Sequence, residues 1–244
     1  MPSRRPPPFV PLITLVGARF PDLEDPERAI RDQRVLVDGR VIANPRARAR
    51  RDARIRLLEV RRLRGDVKLS AALDAFRFDV TGLAALDLGA AAGGFTTALL
   101  QRGAARVYAV DAGYGQLAGV LRADPRVVNL ERTNVATLDR RTVPDRIDVV
   151  TMDLSYTSIA SAVGSLDALA LSTRAVLIAL VKPTFELRAA ALVIEPRHVR
   201  AATQIALQAI ESHAWRGRAI TLPAVTGRRG AIEAFVLADR RGAP

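Results

Sequence analysis

Two residues stand apart from the rest of the basic side chains. The chain holds 37 basic residues, and all are arginine except Lys68, in LRGDVKLSAAL, and Lys182, in AVLIALVKPTFE. Arginine is permanently charged and presents a planar fork; lysine is a compact point charge that can hold, share or release a proton. A lysine retained in so biased a chain marks a place that arginine cannot serve. The chemistry it suggests is activation of a weak nucleophile or stabilisation of a developing negative charge. Chance survival is the plain alternative, and the surroundings decide between the two.

A second signal is the stretch LDLGAAAGGF, at a strand-to-helix turn. Gly89, Gly93 and Gly94 let the backbone bend there and approach a ligand closely. The spacing G-x-x-x-G-G is not the dinucleotide pattern, and the Lys-Ser/Thr of a phosphate loop is missing. Some twenty residues on, VYAVDAG places Asp111 at a strand end, where a carboxylate accepts from ribose hydroxyls. Asp87 falls at the end of the first strand, near where a cationic amino-acid moiety would sit. A ribose without phosphates suits S-adenosyl-L-methionine better than a nicotinamide dinucleotide.

These residues need a frame. From Lys68 onward strand-like and helix-like segments alternate. Leu69, Ala72, Leu73 and Phe76 share one helix face. Strands are expected at 83–89, 105–113, 126–132, 146–155 and 174–183, with helices at 93–103, 114–124, 159–170 and 196–215. Two closing strands, 216–225 and 230–239, have little except TGRR between them and should pair antiparallel at one edge. Such alternation implies an α/β fold with a mainly parallel sheet covered on both faces. Ligands of such sheets bind beyond the carboxyl ends of the strands. Asp153 and Lys182 end neighbouring strands at that rim, and Pro183 holds Lys182 extended. Lys68 begins a helix that starts there. Glu233 lies inside the last, antiparallel strand, near its start. Topology therefore gathers Lys68, Asp153, Lys182 and Glu233, as a functional site or as an internal ion-pair network.

Bulk composition bounds the rest. At 244 residues the chain fits one domain plus a small appendage. There is no cysteine and only His198 and His213, so neither a disulfide nor a metal site is expected. No apolar run approaches the ~18 residues of a membrane span; a soluble, cytoplasmic protein is expected. Residues 1–64 carry 16 arginines against 8 acidic residues, which points to a phosphate-rich partner such as nucleic acid. Residues 1–60 are read as a small αβ unit with a disordered start, its helix at 26–33 and two strands around the Asp38-Gly39 turn. Residues 61–67 are read as a basic linker, and 68–240 as the main domain.

The stretches LDLGAAAGGF, VYAVDAGYGQL, DPRVVNLERTNV, TMDLSYTSI and LVKPTFE together resemble the TlyA (haemolysin A) family of FtsJ-like ribose methyltransferases, over about residues 65–240. The resemblance implies a Rossmann-like methyltransferase fold with a mostly parallel seven-stranded sheet and an antiparallel last strand. It implies S-adenosyl-L-methionine as cofactor and cytidine 2′-hydroxyls of ribosomal RNA or ribosomal subunits as substrate. The family's Lys-Asp-Lys-Glu tetrad falls on Lys68, Asp153, Lys182 and Glu233, which would answer why both lysines are kept. The expected cofactor set is Asp87, Gly89, Ala90, Gly93, Gly94, Phe95, Thr96, Asp111, Ala112, Asn134 and Asp153. The resemblance also implies an N-terminal RNA-binding module like one in a small-subunit ribosomal protein; AIRDQRVLVDGRVIANPRARARRDARIRL resembles its remains, with the usual opening helix poorly matched. The segment after KPTFE is shorter than the family's glycine- and basic-rich loop. Three other readings stand beside this one: a non-catalytic RNA-binding protein with a vestigial methyltransferase fold, a membrane-active haemolysin-like protein, and a small-molecule methyltransferase.

Overall fold

The computed structural model describes residues 9–58, 62–189 and 195–241. The chain divides into two compact units, Met1–Arg61 and Arg62–Pro244.

The first unit opens with strand β1 (Phe9–Pro11) and helix α1 (Leu12–Arg19). That helix was not expected, because prolines crowd its approach. Pro11 sits just outside it, where a missing N–H costs nothing, and Leu12, Leu15 and Val16 share the buried face. The expected disordered start falls on residues 1–8, outside the described residues, and Phe9 already belongs to β1. Helix α2 (Pro26–Arg31) is capped by Asp25, whose side chain accepts from the Arg28 amide at 2.8 Å. Strands β2 (Val35–Val37) and β3 (Arg40–Val41) meet at the Asp38-Gly39 turn, both residues having positive φ as a tight hairpin turn requires. Strand β4 (Arg48–Arg50) pairs antiparallel with β1, and β5 (Ile55–Leu57) with β2. Ala49 and Ile55 point inward, while Arg48, Arg50 and Arg56 alternate outward into solvent.

The second unit begins with helix α3 (Arg64–Phe76). The stretch expected as a linker is thus helical from Arg64, and Lys68 sits one turn inside the helix rather than at its start. The helix starts early because Asp66 lies in its first turn and pairs with Arg62 at 2.7 Å. The strands are β6 (Ala84–Leu88), β7 (Arg106–Val110), β8 (Val127–Leu130), β9 (Ile147–Met152), β10 (Leu171–Val181), β11 (Trp215–Thr221) and β12 (Ala234–Arg240). They form one sheet in the order β11-β12-β10-β9-β6-β7-β8. Strands β6 to β10 are parallel; β12 runs antiparallel to β10 and pairs with β11 at the edge. Alternate residues feed two cores. Leu177, Ala179 and Val181 pack on one face with Ala202, Ala206 and Ile210. Ile178 and Leu180 pack on the other with Leu69, Leu73, Phe95 and Leu99.

Helix α4 (Gly94–Gln101) follows β6, and α8 (Pro196–Ser212) spans most of its expected length. Two helices are shorter than expected. Only α5 (Gly119–Arg122) forms within 114–124, because the Glu131 carboxylate accepts from the Gln116 and Leu117 amides and fixes the preceding turn. At 159–170 a single α turn, α6 (Ile159–Ala162), continues as a 3₁₀ segment to Ala168. Helix α7 (Pro183–Glu186) directly follows β10. Among the described residues, no helix is long and apolar enough to cross a membrane.

Candidate active site

The site lies at the carboxyl ends of β6, β9 and β10. The bend after β6 is demanding. Gly89 has φ +87°, and a Cβ there would stand 2.6 Å from the Asp153 carbonyl oxygen. Glycine is therefore required twice over, by dihedral and by the close passage of the chain leaving β9. Gly94 meets a similar limit: its Cβ would lie 2.9 Å from the Gly65 Cα, so the first turns of α3 and α4 touch backbone to backbone. That contact holds the start of α3, and with it Lys68, beside the glycine turn.

Backbone register assembles the four charged residues. In the antiparallel pair β10–β12, Val181 stands opposite Ala234. One step further, Lys182 and Glu233 face each other across the ends of their strands. Glu233 immediately precedes β12 rather than lying inside it as expected, since the strand begins at Ala234. Lys68 Nζ pairs with Glu233 Oε2, both side chains almost fully buried. Lys182 Nζ lies 2.5 Å from Asp153 Oδ1, both part-exposed, and donates to Ser155 Oγ at 2.7 Å. The four expected residues thus form two lysine–carboxylate pairs at the ends of adjacent strands, one sealed and one open to the rim. Asp153 Oδ1 is buried and has no well-aligned hydrogen bond. Its contact with Lys182 is an ion pair held by distance.

The expected cofactor residues separate into two groups. Asp87 is fully buried: Oδ2 accepts from Thr96 Oγ1 at 2.7 Å and Oδ1 from Thr151 Oγ1 at 3.0 Å. Thr96, Phe95 and Ala90 are buried too, and Phe95 packs on Phe235 with ring centroids 5.8 Å apart. Gly93 is buried at the start of α4, with Gly94 beside it only part-buried. These residues brace the turn from below. Asp111, Ala112, Asn134 and Asp153 reach the open side. Asp111 accepts from the Ala91 amide at 2.8 Å and the Gly113 amide at 2.6 Å, which fixes the carboxylate without exhausting its lone pairs. The Asn134 side chain accepts from the Ala136 amide at 3.0 Å and caps the following 3₁₀ turn.

Burial pushes the Asp87 carboxyl up to about 7, with the nearby Asp153 charge adding to the shift and the threonine hydroxyls opposing it. The folded chain therefore binds a proton at Asp87 that the unfolded chain has released between about pH 4 and pH 7. Stability contributed by this group is full at low pH and falls as pH rises through that window. Asp87→Asn keeps one acceptor and removes the charge. Its melting temperature relative to the unaltered protein is expected to climb from pH 5 to pH 8, by the equivalent of about 1–4 kcal/mol; thermal melts at both pH values measure it.

Three residues that the sequence reading did not single out complete the site. Thr151 and Ser155 flank Asp153 in TMDLSYTSI; their hydroxyls bond Asp87 and Lys182 respectively. Glu186, four residues past Lys182, is buried and accepts from the Ile159 amide at 2.6 Å. It fastens α7 to the segment that follows Asp153, and burial pushes its carboxyl up against the pull of those amides. Beside the site is an open hollow of about 420 Å³, lined by Tyr156, Ser158, Ser161, Thr184, Phe185 and Arg188 among others. Among the described residues there is no cluster of three or more His, Cys, Asp or Glu side chains able to hold a metal ion.

Comparison with known proteins gives this geometry its context. The profile of the FtsJ-like methyltransferases matches residues 61–240. Over 178 residues the chain is 41% identical to a Mycobacterium tuberculosis protein named 16S/23S rRNA (cytidine-2'-O)-methyltransferase TlyA, covering 71% of this chain and 66% of the relative. The match therefore spans just under two thirds of that relative's length. A solved structure from Streptococcus thermophilus, provisionally named a hemolysin, covers 97% of this chain and 90% of its own, with a TM-score of 0.70 and 25% identity. An S-adenosylmethionine dependent methyltransferase from Mesorhizobium loti shares the fold at a TM-score of 0.51 and 17% identity, over 70% of this chain and 96% of its own.

Proposed function

The chain belongs to the FtsJ-like methyltransferase family, and from that premise we propose that it transfers a methyl group from S-adenosyl-L-methionine to a ribose 2′-hydroxyl in ribosomal RNA, at a cytidine. The observation that carries this reading is the presence of two lysine–carboxylate pairs at the sheet rim, one sealed and one open, beside the glycine turn. The relative named as a ribosomal RNA cytidine-2′-O-methyltransferase supports the choice of substrate. The exposed arginines of β4 and β5 support a polyanionic partner for the first unit.

The residues present fit the cofactor. The part-exposed Asp153 carboxylate stands at the rim for a cationic or N–H group, Asp111 keeps acceptor capacity for ribose hydroxyls, and Gly89 leaves the turn free of side chain. When bound, S-adenosyl-L-methionine supplies an electrophilic methyl group on a positively charged sulfur. The protein's task is then the nucleophile, since a ribose hydroxyl is weak at neutral pH. Lys182 Nζ, at the open end of the cluster, meets that hydroxyl oxygen. As an amine it accepts the proton; as an ammonium it stabilises the charge that develops. Asp153 and Ser155 aim the lysine from two sides. The Lys68–Glu233 pair ties the start of β12 to α3, and β12 in turn pairs with β10, from whose end Lys182 projects.

Incubation of the pure protein with isotopically labelled S-adenosyl-L-methionine and ribosomal subunits tests the reading. Label is expected in ribosomal RNA, retained after protease treatment and lost after ribonuclease. Absence of label from RNA, in a preparation shown by calorimetry to bind the cofactor, would refute it.

A further inference from the structure

The reaction as proposed accounts for the rim cluster and leaves the neighbouring hollow without a role. Its walls come from the two segments that carry the acting residues. Tyr156, Thr157 and Ser158 lie three to five residues past Asp153; Thr184, Phe185 and Arg188 lie two to six past Lys182. The lining is one tyrosine, one phenylalanine, four serine or threonine side chains, one alanine and one guanidinium, with no carboxylate. Its volume of about 420 Å³ falls in the range of small-ligand pockets.

Arg188 is the charge of this hollow. It is exposed, and among the described residues its side chain makes no ion pair or hydrogen bond. Many of its counterparts are committed to carboxylates, as Arg62 is to Asp66, Arg102 to Asp74 and Arg126 to Asp124. Glu186, two residues before it at the end of α7, turns inward to the Ile159 and Ala160 amides and does not neutralise it. Arg188 also occupies a backbone position that favours glycine. Its φ is +50°, and the Ala189 amide bonds the Thr184 carbonyl at 3.0 Å, closing α7 in the manner of a left-handed cap. A guanidinium is thus held at some conformational cost beside a row of hydroxyl groups.

Resting on the proposed RNA reading, we propose that this hollow is a subsite for the phosphodiester next to the methylated ribose, bound by Arg188 with the hydroxyls of Ser158, Ser161 and Thr184. Guanidinium and hydroxyl groups are the usual partners of phosphate oxygens. The site's place along the rim from Lys182 suits a link one nucleotide removed from the reacting hydroxyl.

The left-handed backbone makes Arg188→Gly a suitable test, because glycine is at ease at that φ. Arg77→Gly is the matched control: Arg77 is likewise exposed, with φ +52°, and lies at the far end of α3 from the rim. The KM for isolated ribosomal subunits is measured for each protein between 50 and 200 mM salt (about the span over which phosphate contacts are lost). Arg188→Gly is expected to raise that KM about tenfold and to lower the slope of its logarithm against log salt by about 0.7–0.9, the value of one phosphate contact. Arg188→Lys should lie between the two, and cofactor affinity and melting temperature confirm an intact fold. An Arg188→Gly protein with unaltered KM and slope, or an Arg77→Gly protein with the same loss, overturns the subsite while the methyltransferase reading stands. A parent protein that labels no RNA overturns both.

Discussion

Lys182→Arg is expected to lower methyl transfer to RNA by about 10²–10⁴-fold while cofactor binding persists. The substitution keeps the charge and tests only what lysine alone provides. Lys182 Nζ sits between Asp153 Oδ1 and Ser155 Oγ, at 2.5 and 2.7 Å. A guanidinium is larger and planar, cannot give up its proton, and would have to displace one of these partners. The loss should therefore appear in kcat at saturating RNA, with the cofactor dissociation constant changed only a few-fold. Isothermal calorimetry and steady-state kinetics separate the two. A Lys182→Arg protein with the parent's kcat would remove Lys182 from the chemistry.

The second large effect concerns the sealed pair. Lys68→Met leaves Glu233 buried without its counter-charge. Removing one partner of a buried ion pair costs about 3–5 kcal/mol, much of it the uncompensated charge that remains. Glu233→Leu strands Lys68 in the same way. The double replacement removes both charges from a site that is nearly dry, and its stability is expected to return to within about 1–2 kcal/mol of the parent. If the pair serves the reaction, the double variant recovers its melting temperature and remains inactive. Chemical denaturation of the four proteins, with methylation assays alongside, measures this cycle. Recovery of activity together with stability would make the pair purely structural.

Local chemistry that dictates geometry was readable from the amino acids alone. Asp38-Gly39 forms the tight turn because both residues tolerate positive φ. Pro183 ends β10 and leaves Lys182 extended, with φ −112° and ψ 107°. The apolar run AVLIALV is a strand buried on both faces. Convergence of Lys68, Asp153, Lys182 and Glu233 followed from strand order and direction, which alternation in sequence implies. Features set by distant partners were not readable. Helix α1 forms because Leu12, Leu15 and Val16 find Ala29, Ile30 and Val35, and nothing near the prolines announces those neighbours. The helix expected at 114–124 shrinks to four residues because a carboxylate fifteen positions away takes its amides. Asp87 looks like a ligand-facing acid in sequence; two threonines, one of them on β9, turn it into a buried brace. The inward turn of Glu186 likewise depends on amides 27 residues before it.

The most direct measurement is the chemical position of the transferred methyl. Ribosomal RNA labelled by this protein is digested to nucleosides and resolved by mass spectrometry. A lysine at the sheet rim that prepares a sugar oxygen predicts 2′-O-methylcytidine from the parent and about 10²–10⁴-fold less from Lys182→Arg at equal times. Label on a base, or equal label from both proteins, would contradict it.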